Sequence, residues 1–75
     1  MSKKLTIAQI LNQAQLGDTL TDGTLYWKVT DTTQEGGDCT IAVPTAKWPK
    51  GVPKFELWAD AMSDYVYLPG LRIEE

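Results

Sequence analysis

Histidine is missing altogether, and with it the commonest general base and the commonest metal ligand. Cys39 is the single cysteine, so one chain can form neither an internal disulfide nor a Cys-based zinc site. It reads as a small buried hydrophobe. No apolar run comes near the roughly 20 residues of a membrane span. Residues 1–15, MSKKLTIAQILNQAQ, include two lysines but interrupt their apolar positions with Gln and Asn, unlike a signal peptide. The pair Gly36-Gly37 lacks both the spaced glycines and the following Lys-Ser/Thr of a phosphate loop. Charge of neither sign dominates. A net charge of −3 is too mild for a nucleic-acid binder and equally for a DNA mimic. These absences place the protein in a cytosol or on an assembly built there, with no cofactor expected.

What is present suffices for one small domain. A chain of 75 residues buries only about 60% of the surface that its unfolded form exposes, so the core is small and an oligomer or complex is expected. With 43% hydrophobic and 23% charged residues the composition is that of a folded chain rather than a disordered one.

Thr6 and Gln9 have capping-box spacing, and Ile7, Ile10, Leu11 and Ala14 follow at helical intervals, which predicts a helix over about 6–15 with Gly17 as its stop. The Thr-rich run after it predicts strands. In TLTDGTLYWKVT, Asp22-Gly23 reads as a two-residue type I′ turn joining Thr19–Thr21 to a strand from Thr24 onward. Leu25, Trp27 and Val29 then face the core, while Tyr26 and Lys28 face outward. A second turn over TQEGGD leads to Cys39–Val43, with Cys39, Ile41 and Val43 on one face, so 18–43 is expected to be a three-stranded antiparallel meander. Residues 44–53 contain three of the four prolines and form a surface loop.

The segment 54–63 fits both periods. Phe55, Trp58, Ala59 and Met62 match a helix, which places Trp58 in the core; Phe55, Leu57, Ala59 and Ala61 match a strand, which leaves it partly exposed beside Glu56 and Asp60. Tyr65–Leu68 reads as a strand either way, Pro69-Gly70 as a turn, and Leu71–Ile73 as a last short strand. The expected fold is α+β: a short N-terminal helix packed on a small antiparallel, bent sheet or partly open β-barrel.

Three carboxylate groupings are candidates for acid/base work: Asp18 with Asp22, Glu35 with Asp38, and Asp60 with Asp64. The first two sit in turns, where such side chains cap their own backbone, and no Ser, Thr or Cys has a base partner. A cleft around two carboxylates also has little room in a chain this short. The sequence therefore reads as no enzyme.

Gly17 to Val29, GDTLTDGTLYWKV, resembles a short module of bacteriophage and prophage tail-fibre and related tail proteins, in which Gly-Asp-Thr/Ile runs into Thr-Asp-Gly-Thr and an aliphatic-x-Trp-Lys-Val stretch. The match spans about a sixth of the chain. The resemblance implies phage or prophage origin and a role in a virion or in host takeover, and it brings no catalytic residues. The binding candidates lie elsewhere as well. In AKWPKGVPK, Lys47, Lys50 and Lys54 flank Trp48 on a backbone stiffened by prolines. A rigid loop of this kind suits an acidic protein surface, a glycan or a single strand of nucleic acid. The alternative is a surface connection whose Trp48 folds back onto the core. Tyr26 beside Lys28 is a further contact candidate.

The leading expectation is a non-enzymatic, virion-associated tail or fibre module with a structural or adhesive role, binding a protein partner, itself or a glycan receptor. The alternative is a small phage-encoded inhibitor of a host defence system, an anti-CRISPR or other anti-defence protein, acting in the host cytoplasm. A small nucleic-acid-binding barrel is disfavoured by the acidic balance.

Overall fold

The computed structural model describes residues 5–74. Lys3 and Lys4, the two lysines of the N-terminal stretch, lie outside them. Helix α1 (Ile7–Gln13) begins as its sequence dictates: Thr6 Oγ1 accepts from the Gln9 N–H at 3.2 Å, and Gln9 Oε1 accepts from the Thr6 N–H at 2.8 Å. Its end differs from the expectation. Ala14 already leaves the helix, at φ −80° and ψ 149°. Gly17, at φ +90°, serves a turn over 15–18 instead, where Asp18 Oδ2 accepts from the Gln15 N–H at 2.8 Å.

Strands β1 (Thr19–Thr21), β2 (Tyr26–Asp31), β3 (Ile41–Pro44), β4 (Leu57–Trp58) and β5 (Arg72–Glu74) form one antiparallel sheet in the order β4-β3-β2-β1-β5. The meander over 18–43 is therefore present as β1-β2-β3. The turn chemistry of its first hairpin is different. Thr21 pairs with Tyr26, leaving a four-residue loop, and only Gly23 in that loop has positive φ, at +104°. Asp22 Oδ1 accepts from the N–H groups of Thr24 and Leu25 at 2.9 and 2.8 Å, and this side-chain cap replaces the two-residue turn.

On β2 the alternation holds: Trp27 and Val29 are buried, Leu25 half-buried, and Lys28 exposed. On β3 it is inverted. Ala42 and Thr40 are fully buried while Ile41 and Val43 are only half-covered, as is Cys39. The register explains this, because Ala42 lies opposite the buried Val29, and a bulge between Val29 and Asp31 resets the pairing before Ile41. Pro44 fits at the end of β3 because the Thr45 N–H, not its own nitrogen, bonds Tyr26 across the ladder, at 2.9 Å.

Residues 54–63 form no α-helix. Leu57 and Trp58 pair with Ala42 and Ile41, and a 3₁₀ turn follows at Met62–Asp64, held by Asp60 and Ser63 capping each other's N–H at 3.1 and 2.9 Å. Trp58 is consequently 46% exposed, its Nε1 donating to Glu56 Oε1 at 3.1 Å. Tyr65–Leu68 is no strand either: it contributes one bridge, Tyr67 to Thr6, and Val66 O accepts from the Ile7 N–H at 2.9 Å. The segment lies against the start of α1 rather than on the sheet edge. Gly70, at φ +79°, turns the chain into β5, which pairs with β1.

The core joins the helix stripe Ile7, Ile10, Leu11 and Ala14 to Leu20, Trp27, Val29, Ala42, Leu57 and Leu71 on the facing sheet and its connections. Each buried Leu, Ile or Val in this set contributes roughly 1.5–3 kcal/mol. The domain is thus a small α+β unit of one helix on a five-stranded antiparallel sheet.

Candidate functional site

The loop after β3 splits the residues expected to act together. Trp48 folds inward: it is 7% exposed, its Nε1 donates to Val52 O at 3.1 Å, and its ring meets Trp27 edge-on at 5.3 Å. Phe55 completes the group, at 5.6 Å from Trp27 and 5.4 Å from Trp48. Such edge-to-face contacts add to the area that the rings bury. Of the two readings of Trp48, the ring folded onto the core is the one observed.

The lysines remain outside. Lys47 Nζ stands 5.3 Å from the centre of the half-buried Tyr26 ring, a cation–π contact that the Thr45 hydroxyl helps to set by accepting from the Lys47 N–H at 3.2 Å. Thus two of the sequence candidates, Tyr26 and Lys47, come together, with Lys28 exposed two residues along the same strand face. Lys50 is exposed at the loop tip. Lys54 borders a shallow depression with Pro44, Phe55 and Glu56.

A second surface was not anticipated. Met62 is 74% exposed and Tyr65 83%, and with Trp58, Val66 and Tyr67 they leave a run of large apolar side chains in solvent. Trp58, Met62 and Val66 share an open groove with Phe55, Ile7 and Leu57. Glu56, Asp60 and Asp64 are exposed between them. The sequence signal was the density of aromatics over 55–67, which periodicity assigned to strand and core.

Three of the six grouped carboxylates are occupied with backbone. Asp18, Asp22 and Asp60 each cap a turn through an oxygen at 2.8–3.1 Å from a main-chain N–H. Among the described residues no group of three or more Cys, Asp or Glu side chains could hold a metal ion, and no helix is long and apolar enough to cross a membrane. Compared with protein-family models, curated proteins and solved structures, the chain has no match in any of the three.

Proposed function

We propose that the chain is a non-enzymatic bacteriophage or prophage protein, a virion-associated tail or fibre module with a structural or adhesive role. The carrying observation is the apolar run Trp58, Met62, Tyr65, Val66 and Tyr67 left in solvent. Soluble monomers seldom expose such patches without using them, and aromatics are enriched where proteins meet. The motif Gly17 to Val29 supports the phage origin. Lys47 with Tyr26, and Lys50 and Lys54 beyond them, add cations suited to an acidic protein surface or a glycan receptor. In this reading the sheet bends as a partly open barrel around α1, so that the aromatic run lies on the rim of the virion contact.

The test is the solution mass by light scattering over a wide concentration range, for the natural chain and for a variant with Met62, Tyr65 and Tyr67 changed to Ser. A closed assembly of three or more copies that the variant dissolves is the expected result. A monomer or simple dimer in both turns the reading to the second one, an inhibitor of a host defence system. That reading is favoured by the carboxylates of Glu56, Asp60 and Asp64 among the exposed aromatics, since an acidic, apolar surface complements the basic face of a host nucleic-acid-binding complex.

A further inference from the structure

β5 (Arg72–Glu74) is an edge strand of the sheet. β5 closes the sheet order, and among the described residues no strand pairs with its far side. Which backbone groups that edge offers follows from the ladder. Val29 donates its N–H to Asp18 O and accepts from the Gly17 N–H, both at 2.9 Å, so alternate β2 residues, Trp27 included, point their main-chain groups toward β1. Leu20, opposite Trp27, answers toward β2, and Thr19 and Thr21 therefore point toward β5. Their partners Glu74 and Arg72 use their N–H and C=O groups inward. The N–H and C=O of Ile73 are left pointing outward.

The side chains around this free pair have matching charge. Arg72 and Glu74 are both exposed and lie on the same face, one on each side of Ile73. Edges are commonly protected against pairing by charged side chains, lysines above all, whose repulsion a second copy would meet. This one carries opposite charges at symmetric positions. When two such strands meet antiparallel about a twofold axis through Ile73, each Arg72 stands opposite Glu74 of the other copy. These are non-hydrogen-bonded positions, where opposing side chains approach most closely. The Ile73 groups meanwhile exchange two main-chain hydrogen bonds.

We propose that two copies of this chain associate through β5, antiparallel and centred on Ile73, giving one sheet continuous across an isologous dimer. The proposal is independent of the phage reading and concerns a different surface from the aromatic run. Three residues of ladder bury far less than the about 1,200 Å² of a stable interface, so association is weak and in fast exchange.

Sedimentation velocity from micromolar to millimolar protein tests it. The variant with Met62, Tyr65 and Tyr67 changed to Ser, which lacks the aromatic contact surface, should shift from monomer toward dimer with concentration, and the charge variants are made in that same background. Glu74→Arg and, separately, Arg72→Glu place like charges opposite each other and should weaken association about tenfold, since two pairs turn from attraction to repulsion. The exchanged variant R72E/E74R should recover it. Circular dichroism should show all three variants folded, because both side chains are exposed. Amide exchange of the Ile73 N–H should slow as the dimer forms. A chain that stays monomeric throughout overturns the proposal. So does a dimer indifferent to the charge reversals, or an exchanged variant that fails to recover, and in those two cases self-association by another surface stands.

Discussion

Trp27, Trp48 and Phe55 meet edge to face at 5.3 to 5.6 Å, and each indole N–H of the two tryptophans has a carbonyl partner, Phe55 O at 3.0 Å and Val52 O at 3.1 Å. Set among lysines and prolines, Trp48 reads from the sequence either as a contact ring or as a ring folded back onto the core, and the observed burial is the second of these. Trp48→Ala and Trp27→Ala should each cost about 3–5 kcal/mol in urea unfolding, by loss of ring contacts and a cavity that neighbouring rings fill only partly. An unchanged midpoint for Trp48→Ala would return the ring to the surface. Thr40 presents the opposite case. Its hydroxyl is buried with no hydrogen-bond partner among the described residues, while its carbonyl accepts from the Ala59 N–H at 2.9 Å. Thr40→Val keeps the shape and the backbone bond and removes an unpaired polar atom, so it should stabilise the fold by about 1 kcal/mol, read as a raised melting temperature.

At the scale of elements, α1 and the turns rest on local chemistry. A seven-residue helix is too short to persist alone, and its capping box and its apolar stripe act together. Thr6→Ala should cost about 1 kcal/mol, whereas Thr6→Ser should cost a few tenths, because only the hydroxyl is needed at that position. The bend after β2 is more demanding. A Cβ at Gly37 would run into the Asp31 carboxylate and stand 2.8 Å from Thr32 O. Gly37→Ala should therefore destabilise by about 1–3 kcal/mol, chiefly through the displaced backbone, and a chevron plot should show the loss. Gly36→Ala is strained for a different reason, its φ of +92°.

For the molecule as a whole, a Cα radius of gyration of 11.7 Å leaves little interior, and the run from Trp58 to Tyr67 contributes mainly surface. Substituting Met62, Tyr65 and Tyr67 with Ser should accordingly leave the melting temperature nearly unchanged while altering assembly, the combination that distinguishes a contact surface from a core. The two free edges behave differently under the same logic. β4 is two residues long and is followed by the Asp60–Ser63 turn, which limits pairing there, whereas β5 offers Ile73 between complementary charges.

The helix start, the core face of β2, the meander and the last strand were legible in the sequence because each depends on residues within a few positions of one another: a cap and its N3 partner, or alternation along one strand. The lysine loop was legible as a loop for the same reason. Tertiary structure decided the rest. The phase of β3 follows from the register opposite Val29, the end of α1 from the Asp18 turn, the strand at Leu57–Trp58 from the exposed side of β3, and the burial of Trp48 from space beside Trp27. Each of these is a contest between nearly equal local preferences, settled by which arrangement fills a small core around one large ring and leaves its backbone groups paired.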